Sequence, residues 1–231
     1  MSKNYIEIIA IVEGKTEQIF IDYLLKPYLA EKNIFITATL ASKSGQSGGD
    51  VHFERVKNDI NLHLKHRNYT YVTTLIDYYG TKEWPGFEQI RQGATPKQIS
   101  DIINSETKKQ IVKLFSENEA ERRFIPYMAI HEFEALLFSD SSILSSELRI
   151  DQKEVDKVLE KCGEAEAVNN SPETAPSKRL NKWSSNGKFK KTTTGILIAG
   201  KIGIEKMREK CPLFNNWLIN FETIQKTNSH E

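Results

Sequence analysis

Three acidic residues stand where they could do chemistry together: Glu13 directly after an apolar run, Glu17 four residues later, and Asp77 after a second apolar run. A third run is followed by His131-Glu132-Phe133-Glu134, so Glu132 or Glu134 could join them. Carboxylates grouped in a cleft repel one another, and the common remedy is a hard divalent cation held through oxygen. Magnesium or manganese is the natural inference. Such an ion can polarise a phosphoryl oxygen and activate water, so the expected chemistry is phosphodiester cleavage or transfer. Each acid also has a plainer reading. A strand-end glutamate can be solvated, Glu17 can answer a helix dipole, and Asp77 can cap a turn. His131 is expected to support the site as a neutral imidazole and not to act in catalysis.

The elements that must position these residues follow from hydrophobic periodicity. Residues 6–12 are almost continuously apolar, interrupted by Glu7, as in a strand buried on both faces of a parallel sheet. A helix over 16–30, a strand over 34–40, a helix over 51–66 and a strand over 71–76 ending at Asp77 complete a β-α-β-α-β order. A long connection over 78–100 contains Trp84-Pro85-Gly86, and helical pattern returns from Lys97 to Phe115. A fourth strand over 124–130 and a helix over 131–138 are predicted next. In an open parallel sheet, ligands bind beyond the carboxyl ends of the strands, where Glu13, Asp77 and the 131–134 segment all fall. Glu17, one turn into the first helix, projects back toward that rim.

After Asp140 the pattern weakens into short helices, a Lys-rich loop over 188–194, a helix over about 195–209 and a last amphipathic helix. The expected organisation is an α/β unit over 1–140 and a helical, basic extension over 141–231 packed on it. Charge divides unevenly: residues 170–210 carry ten Lys or Arg against three Glu, whereas residues 1–169 hold 21 basic and 26 acidic residues. A basic segment behind an acidic one suits phosphate contact. Trp183 and Phe189 lie among the cations as candidate stacking groups. The Ser/Gly-rich stretch 42–50 reads as a flexible substrate edge.

Other classes are disfavoured. Gly14-Lys15-Thr16 resembles the end of a phosphate-binding loop, but the pattern requires a glycine at the position of Ile9. Lys15 can still meet a phosphate. Cys162 and Cys211 have no metal-ligand spacing. No long apolar run and no basic leader are present, so a cytoplasmic protein is expected.

Val12-Glu13-Gly14-Lys15-Thr16-Glu17 resembles the Toprim signature of topoisomerases, primases and overcoming-lysogenization-defect nucleases. With Leu75-Ile76-Asp77-Tyr78-Tyr79-Gly80, Trp84-Pro85-Gly86 and His131-Glu132-Phe133-Glu134-Ala135-Leu136-Leu137-Phe138, the chain resembles the Toprim-like DUF4276 proteins most. The resemblance implies a Toprim-like parallel sheet flanked by helices, with Glu13 and Asp77 binding magnesium or manganese and Glu17 matching the extra glutamate of the nuclease branch. It departs at Tyr79, which stands where a second aspartate is usual, so that Glu132 or Glu134 replaces that ligand or a second metal is weak. A late lysine of the nuclease branch, thought to stabilise charge at the scissile phosphate, could correspond to Lys188, Lys190 or Lys191. Lys191 is assigned that catalytic role, with Lys15, Lys188, Lys190 and Lys191 as nucleic-acid contacts. The resemblance further implies a nuclease of DNA or RNA in bacterial anti-phage defence, with an AAA- or ABC-type ATPase as partner, or a catalytically weak regulatory subunit of such an ATPase.

Overall fold

The computed structural model describes residues 5–41, 51–79, 81–169 and 173–228. Strand β1 (Ile6–Val12) is central and parallel to both neighbours, β2 (Ile34–Leu40) and β3 (Thr70–Asp77). The sheet order is β2-β1-β3-β4, with β4 (Phe124–Ile125) and β5 (Met128–Ala129) both pairing with β3. Every residue of β1 except Glu7 is buried, as a strand covered on both faces requires. The chain is therefore an α/β protein with an all-parallel sheet flanked by helices.

The first crossover is α1 (Lys15–Phe20), a wide π turn (Ile21–Leu25) and α2 (Lys26–Ala30). Helix α3 (Phe53–His66) joins β2 to β3, and α4 (Pro96–Phe115) with the short α5 (Ala120–Arg123) joins β3 to β4. The connection before α4 is anchored by Trp84, whose Nε1 donates to Thr107 Oγ1 at 2.8 Å. Gly86 beside it has φ +91°, and a Cβ there would stand 3.1 Å from Glu106 Cβ, so both backbone and space demand glycine.

The fourth strand departs from expectation. Instead of running through 124–130 it breaks into β4 and β5 around Pro126, which has no N–H to give a ladder. Side chains of β3 take over there. Thr73 Oγ1 donates to the Ile125 carbonyl at 2.6 Å; Thr74 Oγ1 donates to the Tyr127 carbonyl at 2.8 Å and accepts from the Tyr127 N–H at 3.1 Å. The helix expected over 131–138 is a 3-10 turn, Phe133–Ser139, buried throughout.

Beyond residue 140 lie α6 (Ser141–Leu148), α7 (Gln152–Cys162) and α8 (Pro176–Trp183), then a π turn (Lys191–Gly195), α9 (Ile196–Ile202), α10 (Ile204–Lys210) and α11 (Pro212–Asn228). The single helix expected over 195–209 is split at Gly203, where φ is +80°. Helix α11 returns to the sheet: Trp217 stacks on Tyr127 with ring centres 4.6 Å apart and donates from Nε1 to Thr73 Oγ1 at 2.8 Å. One hydrophobic core thus runs from Ile6 to Phe221 without a break at residue 140. No helix among the described residues is long and apolar enough to cross a membrane.

The start of α11 is held by buried Glu166, whose two oxygens accept from the N–H groups of Leu213 (2.7 Å) and Phe214 (2.9 Å). Burial pushes this carboxyl up to about 7, against the pull of those two N–H groups. Because its folded pKa lies above the ordinary value of 4.5, stability is present at low pH and is lost as pH rises through the interval. The loss amounts to about 3 kcal/mol. Glu166→Gln, whose NH2 leaves one of the two N–H groups without an acceptor, is expected to be less stable than wild type in urea unfolding near pH 4.5 and to recover relative to it as pH rises to 8. A constant difference across that range would contradict the assignment.

Candidate functional site

The carboxyl ends of β1 and β3 are adjacent, and the turn after β5 folds over them. Glu13 follows β1 directly, with its N–H donating to the Leu75 carbonyl of β3 at 3.3 Å. Its Oε2 accepts from the N–H of Asp77 at 3.3 Å. Asp77, the last residue of β3, accepts at Oδ1 from the Phe133 N–H at 3.1 Å. One carboxylate therefore ties the two strands together, and the other ties β3 to the 3-10 turn. Glu17 lies in the first turn of α1 and is buried. A Cβ on Gly14 would come within 3.0 Å of Glu17 Oε2, so the glycine leaves room for that carboxylate.

Glu134, the second residue of the 3-10 turn, is only 1% exposed, and neither of its oxygens makes a hydrogen bond of good geometry. Its charge is answered by Lys191, whose Nζ stands 2.7 Å from Oε1 as an ion pair. Glu132 is within electrostatic range of Lys191 but is bonded to another element. Its Oε2 accepts from the Ser177 N–H and its Oε1 from the Ser177 hydroxyl, both at 2.7 Å, which clamps the start of α8. Of the two alternatives, Glu134 is the one the structure brings toward Asp77 and Lys191.

The electrostatics follow from burial. Asp77 is raised well above the ordinary carboxyl range by burial and then by the charges of Glu17, Glu134 and Glu13. Glu13 is raised by burial, against the Asp77 N–H and Lys191. Glu17 is raised by burial, against its own N–H, with Glu13 adding to the rise. Glu134 is raised by burial, against Lys191. Burial alone would lower the Lys191 ammonium, but Glu134, Glu132 and Asp77 outweigh it and hold the cation charged. Glu13, Glu17, Asp77, Glu134 and Lys191 are thus linked through their charges, and Glu132 acts on three of them, Glu13, Glu134 and Lys191.

The donor set fits a hard cation: carboxylate oxygens from separate elements, including a buried glutamate whose Oε2 is unsatisfied. Among the described residues no group of three or more His, Cys, Asp and Glu side chains is arranged to hold a metal ion as it stands. Magnesium commonly uses only one or two carboxylates and keeps its waters, so a closed cage is not required. A cavity of about 430 Å³ between the start of α3, the Trp84–Gly86 turn and α4 contains none of these acids.

Of the other anticipated residues, Lys15, Lys188 and Lys190 are exposed, and Lys15 Nζ donates to Gln18 Oε1 at 3.0 Å. Phe189 is not available for stacking on a base. It is buried, its ring lies against Gly195, and its N–H donates to Asn181 Oδ1 at 2.7 Å. Trp183 packs on Phe138. His131 has Nδ1 3.3 Å from Asn169 Nδ2, and burial lowers it to about 4, so the ring is neutral. Tyr79 is partly exposed, with its N–H donating to the His131 carbonyl at 3.3 Å. The stretch 42–50 and Gly80 lie outside the described residues. Ser177 was not anticipated. Pro176 marks a helix start there, but nothing in the sequence joins it to a glutamate 45 residues earlier.

A parallel α/β sheet whose carboxyl edge carries a buried cluster of acids closed by a lysine defines a class of acidic-centre α/β proteins. Residues 12–222 match the family described as "Domain of unknown function (DUF4276)", and the chain belongs to that family. No curated protein and no solved structure matches it.

Removing the Ser177 hydroxyl strands Glu132 Oε1 and loosens the start of α8. Ser177→Ala is expected to cost roughly 1–2 kcal/mol in urea unfolding. A loss within error of zero would show that solvent satisfies Glu132 instead.

Proposed function

We propose that the protein is a divalent-metal-dependent phosphodiesterase acting on nucleic acid. The observation that carries this reading is Glu134, a buried carboxylate whose Oε2 has no hydrogen-bond partner and whose Oε1 meets the Lys191 ammonium at 2.7 Å, set among three further acids. A bound magnesium or manganese ion would polarise a phosphoryl oxygen and lower the pKa of a coordinated water. Glu13 and Asp77 would be the principal ligands, with Glu17 or Glu134 joining them and water filling the remaining positions. Glu132 is held by its two bonds to Ser177, which favours Glu134 over it as the further ligand. Lys191 is the group that would steady charge on the phosphate, because it is the cation nearest the acids. The exposed Lys15, Lys188 and Lys190 would contact neighbouring phosphates without reading sequence.

The resemblance of the Val12–Glu17 segment to Toprim nucleases supports the same reaction. It extends the proposal to a cytoplasmic effector of anti-phage defence working with an ATPase. A second reading is favoured by Tyr79, which stands in place of a second aspartate: a regulatory subunit of such an ATPase that holds nucleic acid without cleaving it.

Purified protein with manganese is expected to cleave DNA or RNA, and Glu13→Ala and Asp77→Ala should each lower the rate by about 100-fold or more while the protein stays folded by circular dichroism. Neutralising Lys188 and Lys190 together should reduce the slope of log affinity against log salt by roughly 2. Salt-sensitive retention of nucleic acid with no cleavage, with or without the ATPase, would replace the first reading with the second.

A further inference from the structure

Lys191 and Glu134 differ in how firmly each is held. Glu134 sits in a 3-10 turn whose seven residues are all buried, and its own side chain is 1% exposed. It has no room to withdraw. The Lys191 side chain is 44% exposed and starts a π turn, Lys191–Gly195, a feature that often marks functional positions. Its ammonium reaches inward on a flexible four-carbon stem. The pair thus joins a fixed anion to a cation that can leave.

The charge balance gives it reason to leave. Glu17, Glu134 and Glu13 all act on Asp77, Glu13 also acts on Glu17 and Glu134 on Glu13, and Lys191 is the one cation acting on each of the four. One positive charge cannot neutralise four carboxylates, whereas a divalent ion brings two. A dication on Glu134 would stand within a carboxylate's width of the ammonium, and like charges in a desolvated site repel strongly.

We infer that Lys191 is an exchangeable internal cation: it occupies Glu134 until a divalent ion takes that carboxylate, and then swings outward to meet the substrate phosphate. This rests on the metal-dependent reading above and adds that metal and lysine compete for one carboxylate. The exchange makes phosphate binding conditional on metal loading, because the lysine is withdrawn from the substrate side while it is paired with Glu134.

The test is manganese binding by isothermal titration calorimetry, with the thermal midpoint measured in EDTA and in manganese. Lys191→Met is expected to bind manganese about tenfold tighter than wild type, to melt lower in EDTA, and to gain more from manganese. Lys191→Arg should bind manganese more weakly, since the guanidinium fork grips the carboxylate at two points. In a Glu134→Gln background, Lys191→Met should change the affinity by less than about twofold. Wild-type binding that Lys191→Met leaves equal or weaker would overturn the exchange and leave the metal site standing. No binding by either protein would overturn the metal reading and the exchange together. If Lys191→Met does not fold, Lys191→Arg decides, and unchanged or tighter binding by it overturns the exchange.

Discussion

Taking several carboxylates out of water at one edge of a sheet is the constraint around which this protein is organised. A buried charge is tolerated only with partners, and the partners here are mostly backbone. Glu13 has the Asp77 N–H, and Asp77 has the Phe133 N–H. These bonds also register the structure, since each links a side chain at one strand end to the main chain of the next segment. What backbone cannot supply is a counter-charge for Glu134. That comes from Lys191, 57 residues later in the sequence.

The C-terminal half is therefore part of the site and of the fold. It supplies the lysine, the Ser177 clamp on Glu132 and the aromatic cover over the sheet. Pro126 leaves the fourth strand unable to pair continuously, and Thr73 and Thr74 replace the missing ladder with their hydroxyls. The same Thr73 hydroxyl accepts the Trp217 indole N–H, so the repair of one strand is also the dock of the last helix. The family match, residues 12–222, likewise runs across residue 140 without a break.

Much of this was legible in the sequence for physical reasons. Residues 6–12 and 71–76 declare themselves as strands because a parallel sheet buries both faces, 34–40 does so by alternation, and strand ends fix where Glu13 and Asp77 emerge. The residues after β5 were harder. Whether Glu132 or Glu134 faces the acids depends on the path of a tight 3-10 turn, and hydrophobic spacing cannot resolve that path. Phe189 was misread because a basic neighbourhood says nothing about burial, and the ring fills space beside Gly195. Helical spacing carries through Gly203, whose positive φ nevertheless separates α9 from α10. The Glu132–Ser177 and Glu134–Lys191 pairs lie too far apart in sequence for any local signal.

The position of Tyr79 then acquires a structural account. Its backbone is tied to His131 through an N–H bond, so the chain after β3 is committed to running beside the segment that carries Glu134. An acid at position 79 is one way to place a further carboxylate at this edge. A glutamate on the facing turn is another, and it has the added property of being buried beyond the reach of bulk water. Such a carboxylate needs a permanent counter-charge or an exchangeable one. A half-exposed lysine on a separate turn meets that need without fixing the site in one state, which a second buried backbone donor would do. The glutamate at position 134 and the lysine at position 191 are in this sense parts of one solution to the same excess of negative charge.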